Sequence, residues 1–186
     1  MTKIQLLTVL ACSNCNNGWS DDEAHFRNVI TMAGDPPNAP RQELWETKIS
    51  PSFGKNDGQK RINDITAKME PINMSGIVRY MIYPAEDERV IRIIRKIIRG
   101  LCHYHNIASP VSDKYVWADI LRYTVPPGLI QKMNYYHREQ DIVEYRYEIS
   151  NERDMNSAWL ITFFQKVTFM GVVFTSENWS NTMIED

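Results

Sequence analysis

Hydrophobic positions return every three or four residues from Ala85 to about His103, at Val90, Ile91, Ile94, Ile97, Ile98 and Leu101. This spacing predicts one long amphipathic helix. Its other side carries Arg89, Arg92, Lys96 and Arg99, with Arg95 beside them, and Glu86, Asp87 and Glu88 lie in the first turn, where the helix dipole favours anions. A two-residue period takes over at Asp141–Ser150, where Val143, Tyr145, Tyr147 and Ile149 alternate with Ile142, Glu144, Arg146 and Glu148. A strand with one buried side is expected there. Ala158–Gln165 and Val167–Thr175, rich in aromatic and β-branched residues, predict two more strands; Ile77–Tyr83 and Lys114–Val125 predict others.

Shorter patterns fill the remainder. Lys3–Leu10 is apolar and reads as a short strand. Ser20 and Glu23 have the spacing of a capping box, so a helix is expected from Ser20 with Phe26, Val29, Ile30 and Ala33 on its core side. Gly34-Asp35-Pro36-Pro37 ends it, and Pro40 suits the first turn of a second helix through about Lys48. Ser50–Lys60 is polar and reads as a loop. Arg61–Ile72 fits either period, with a strand favoured in its second half, and Leu129–His137 is expected to be a short helix. Residues 1–34 thus form one module, 35–75 a linker with short elements, and 76–186 an α+β domain with a helix-backed, mainly antiparallel sheet.

Composition narrows the function classes. A chain of 186 residues, 43% hydrophobic and 24% charged, suits a globular protein with an ordinary core. The net charge of −2 lacks the global basic field of many nucleic-acid binders, so attraction to phosphate must come from a local patch. Three cysteines with one close pair do not suggest a secreted disulfide framework, and a cytoplasmic location is expected. The apolar run Ile4–Ala11 is too short to span a membrane.

That close pair, Cys12 and Cys15, runs through Asn16-Asn17-Gly18 into the helix expected at Ser20. Two cysteines separated by two residues can hold one metal ion from a tight turn, and strand, Cys-x-x-Cys, helix is the second half of a treble clef. A closed structural zinc site needs four ligands, and this stretch offers two. The alternative is a pair of reduced cysteines in a turn. Three completions of the site are conceivable: two chains pool their pairs in a symmetric dimer, His103 and His105 approach the pair, or upstream residues complete it. Surface or half-buried histidines and a small core residue at Cys102 are the simpler reading of the second.

The run Cys12-x-x-Cys15-Asn16-Asn17-Gly18-x-Ser20-x-Asp22-Glu23, followed by Phe26-Arg27, resembles the second zinc knuckle of a bacterial group of HNH-type endonuclease-like proteins. Arg99-Gly100-Leu101-Cys102-His103-Tyr104-His105 and Ser157-Ala158-Trp159 through Phe163-Phe164 to Phe169 are similar to its later segments. The resemblance implies zinc on the cysteine pair, a catalytic divalent ion such as magnesium held in part by Asn16, and DNA as substrate. In complete members another Cys-x-x-Cys and a strand ending in the catalytic histidine come first. Only eleven residues precede Cys12, so a truncated or catalytically degenerate version is expected, with little or no nuclease activity. Hydrolysis of a phosphodiester needs a base to activate water, and neither His25 nor His137 occupies the matching position.

Two functions therefore stand side by side. One is an HNH-endonuclease-like protein; the other is a non-enzymatic module that binds protein or nucleic acid, its cysteine pair structural or vestigial. In either, Arg89, Arg92, Arg95, Lys96 and Arg99 are the candidate nucleic-acid contacts, against the plainer alternative of a solvated helix face. Tyr135, Tyr136, Trp159, Phe163, Phe164 and Phe169 can stack bases if exposed, although strand spacing more often buries such residues.

Overall fold

The computed structural model describes residues 18–33, 38–55, 57–74, 77–82, 87–138 and 142–175. Their fold is α+β. The expected strand at Lys3–Leu10 and the Cys12/Cys15 turn of the half treble clef lie outside these residues, and only the helix that follows them is described.

That helix, α1 (Ser20–Met32), buries Phe26, Val29 and Ile30. Its cap differs from the capping-box expectation. Trp19 is the N-cap, no side chain caps the helix, and the Trp19 carbonyl accepts the Glu23 amide at 2.9 Å. The Glu23 carboxylate instead meets Lys96 Nζ at 2.6 Å, so it does not serve the cap. Helix α2 (Ala39–Leu44) is capped by Asn38, whose side chain accepts the Arg41 amide and donates from Nδ2 to the Phe164 carbonyl across the molecule.

The loop expected at Ser50–Lys60 is largely helical. A wide π turn (Trp45–Ile49) leads into α3 (Ser50–Phe53), where Pro51 fits the first turn, and α4 (Gly58–Thr66) follows. Tertiary packing outweighs the polar composition here, since Ile49 and Ile65 are both fully buried. Gly58 permits the approach of α4 to α3: a Cβ there would lie 2.1 Å from the Phe53 carbonyl oxygen. Within the ambiguous stretch, helix thus runs to Thr66, and strand β1 (Glu70–Met74) pairs antiparallel with β2 (Ile77–Ile82).

Helix α5 (Glu88–Tyr104) is the long amphipathic element that the spacing predicts. Its buried side includes Val90, Ile91, Ile94, Ile98 and Leu101, joined by Ile93, while Ile97 is half-buried. A 3-10 turn at Asp113–Tyr115 precedes β3 (Val116–Ile120), and α6 (Pro127–Ile130) is a single turn. The helix expected over Leu129–His137 therefore ends early, and β4 (Asn134–Arg138) is an edge strand paired with β5 (Val143–Ile149). Strands β6 (Met155–Phe163) and β7 (Val167–Phe174) complete a five-stranded antiparallel sheet ordered β3-β7-β6-β5-β4.

One face of this sheet takes α5 and α1. Opposed pairs such as Tyr145 with Ile161 and Tyr147 with Trp159 project into a shared core with Ile94, Ile98 and Phe26. Phe26 of α1 meets Phe163 edge to face at 5.3 Å. Gly171 of β7 lies under α5, and a Cβ built there would come 2.3 Å from Ile98 Cδ1. Among the described residues, no helix is long and apolar enough to cross a membrane.

Candidate nucleic-acid interface

Cys12, Cys15 and Asn16, the proposed metal and catalytic residues, lie outside the described residues. The five cations of α5 are described, and all face acidic partners. Asp22, in the first turn of α1, spans two turns of α5: its Oδ1 accepts from Arg89 Nε at 3.1 Å and its Oδ2 from Arg92 Nη1 at 3.0 Å. Arg89 also donates to the Asp21 carbonyl at 3.2 Å. Glu23 takes Lys96, while Arg95 pairs with Glu88 on its own helix.

Asp113, from the turn before β3, lies 3.5 Å from both Arg95 Nε and Arg99 Nη1. These contacts are ionic attractions without hydrogen-bond alignment, and the buried Arg95 Nε and Asp113 Oδ1 atoms have no hydrogen-bond partner. Arg99 Nε donates to the Val111 carbonyl at 2.9 Å. The Trp19 ring supports the Arg92 guanidinium at 5.3 Å. The result is a row of cations whose side chains stay between 23% and 40% exposed, met by carboxylates from α1, from α5 itself and from the turn before β3.

Sequence reasoning identified the cations and missed Trp19, Asp22, Glu23 and Asp113 as their partners. The available signal was complementarity: an acidic first turn on one predicted helix and a basic stripe on another.

Behind this face lies a buried polar knot. The Asp87 side chain caps α5 by accepting the Arg89 amide on Oδ1 at 3.0 Å. Its other oxygen lies 3.1 Å from His25 Nε2 of α1 and 2.7 Å from Lys68 Nζ. Burial lowers the His25 pKa, and the positive charge of Arg89 lowers it further, against the opposing pull of Asp87. His25 faces the α1–α5 junction, so its surroundings are those of a structural histidine.

His103 and His105, whose simpler sequence reading is that of surface or half-buried histidines, have different surroundings. His103 is exposed and pairs with Ser109 Oγ at 2.7 Å. His105 ends α5 and turns towards the sheet, where Nε2 meets Tyr145 Oη at 2.9 Å and the ring packs 4.8 Å from Tyr136 and 4.7 Å from Tyr147. Asn106 at φ 55° reverses the chain there, and the Ile107 amide closes the helix end on the Cys102 carbonyl. Cys102 is fully buried, and desolvation pushes its thiol up to about 11. It is a core residue.

Of the candidate base-stacking aromatics, Trp159, Phe163, Phe164 and Phe169 are buried. Tyr135 and Tyr136 on β4 remain 46% and 38% exposed, and Arg146 stacks on the Tyr135 ring at 4.1 Å. Among the described residues, no group of three or more histidine, cysteine or acidic side chains is placed to hold a metal ion. No protein-family model, curated protein or solved structure matches the chain.

Proposed function

We propose that the chain is an HNH-endonuclease-like protein that engages DNA. Cys12 and Cys15 form its zinc-knuckle pair, and Asn16 is the candidate ligand for a catalytic divalent ion. One observation carries this reading: the helix that follows the knuckle lays its first turn across the cationic row of α5. Only five residues lead from Cys15 to Ser20, a tether of roughly 18 Å at full extension. The cysteine pair is thus tied in sequence to the helix that meets the cations, and a cationic row of this kind suits a phosphodiester backbone.

The test combines zinc content per chain, mass in solution and binding to duplex DNA. One zinc per two chains in a dimer supports pooled half-sites, and binding that weakens steeply with salt supports the phosphate contact. Zinc-free monomer with no affinity for DNA would overturn the reading. Any divalent-ion-dependent cutting should disappear in Asn16→Ala and Cys12→Ser; cutting that survives both removes them from the site.

The second reading is a non-enzymatic interaction module with a structural or vestigial cysteine pair. The exposed Tyr104, Tyr135 and Tyr136 at the β4 side of the sheet favour it, because amphipathic rings of this kind are enriched at contact surfaces.

A further inference from the structure

We infer that the acidic first turn of α1 is a built-in competitor for phosphate on the basic face of α5. Nucleic acid would bind by displacing the Asp22 and Glu23 carboxylates from Arg89, Arg92 and Lys96. This inference rests on the reading of α5 as a DNA-contacting face and adds how access to that face is controlled.

The geometry at Asp22 is the first argument. Its two oxygens each accept from a different guanidinium, one helical turn apart, with Arg92 also supported by the Trp19 ring. A phosphate can bridge the same two arginines in the same way, and guanidinium groups suit both anions. The arrangement is thus organised to receive a bridging oxyanion, and the protein supplies its own.

Energetics is the second argument. The Arg89, Arg92 and Lys96 side chains are 40%, 36% and 28% exposed and Glu23 is 49% exposed, so water screens these pairs and weakens them, least at Asp22, which is 16% exposed. Helix α1 does not depend on them, because Phe26, Val29 and Ile30 anchor it in the core. The carboxylates can be displaced by side-chain rotation while the helix stays in place. A polyanion that makes several contacts at once gains counterion release at each phosphate, a gain that the local carboxylates do not have.

Charge balance is the third. Five cations of α5 face the four carboxylates of Asp22, Glu23, Glu88 and Asp113, so the face is nearly neutral in the free protein. Removing the two on α1 uncovers a cationic stripe without altering a cation.

The experiment measures binding of a short duplex DNA at about 50 and about 200 mM salt. It compares the full chain, the Asp22→Asn/Glu23→Gln variant, and Glu23→Gln alone, which perturbs only an exposed pair. Expected is an affinity gain of about tenfold or more for the double variant, a smaller gain for the single, and a salt dependence steeper by roughly two phosphate contacts. Arg92→Glu/Lys96→Glu in the same background should abolish the gain. If the full chain binds DNA and neither neutralised variant binds tighter, the competitor role fails while the DNA reading stands. If no form binds, both fail. If polyglutamate displaces DNA as well as a second duplex does, the face responds to negative charge alone and the inference is overturned.

Discussion

Cys102 illustrates how far a residue's chemistry depends on its surroundings. A free thiol titrates near 8.5, and reactivity requires thiolate and access. Cys102 has neither: it is fully buried, Ser157 is its hydrogen-bonding neighbour, and its pKa lies at about 11. In the native protein it should resist alkylation at neutral pH, and it should label only when denaturant opens the core. Mass mapping after a brief iodoacetamide pulse would show this, and rapid native labelling at Cys102 would contradict the buried placement.

At the element scale, the approach of α5 to the sheet is set by Gly171. A methyl group there would overlap Ile98 Cδ1 and lie 3.2 Å from the Trp117 carbonyl oxygen, and Ile98 is itself fully buried. Gly171→Ala should therefore cost about 1–3 kcal/mol, the usual range for overpacking a tight core. A urea melt would register the loss as a lower midpoint. An unchanged midpoint would mean that α5 can lift off the sheet cheaply.

The same scale shows which elements were legible in sequence. Helix α5 and strands β5 to β7 carry long, regular periods, and each formed where its period predicts. Strand β4 was hidden because its neighbouring tyrosines, Tyr135 and Tyr136, are both large and both aromatic, so side alternation leaves no hydrophobic contrast to read. Helices α3 and α4 were hidden by Ser, Gly, Asn and Asp, residues that favour turns unless packing intervenes. The cations of the candidate interface were visible as a stripe. Their partners were not, because Asp22 and Glu23 stand 67 to 73 positions away along the chain and only the docked helices bring them together.

For the whole molecule, the knot of His25, Asp87 and Lys68 couples three parts of the chain, so its titration is a property of global stability. Burial holds the folded-state pKa of His25 below 6.5, the value expected for the exposed side chain. As pH falls below 6.5 the unfolded chain takes up a proton that the folded chain resists, and stability declines through the folded pKa. Above 6.5 this penalty is absent. His25→Gln, which keeps a polar group at the position, should flatten the loss of stability between about pH 7 and pH 5, where model carboxylates remain ionised. Denaturant midpoints at the two values measure it; an equally steep loss in the variant would assign the effect to another group.

The order of the sheet also determines when the molecule can assemble. Its central strand β6 and the neighbouring interior strand β7 come last among the described elements, while β3, made some fifty residues before β7, pairs only with it. Helices α1 and α5 likewise bury their apolar sides on residues such as Phe163 and Phe169, which are translated later. During synthesis the first half of the chain therefore waits with its hydrophobic stripes uncovered, and the last hairpin acts as a keystone. Until Phe174 has left the ribosome, the sheet lacks the strand that joins β3 to β6, and the apolar surface left open favours aggregation.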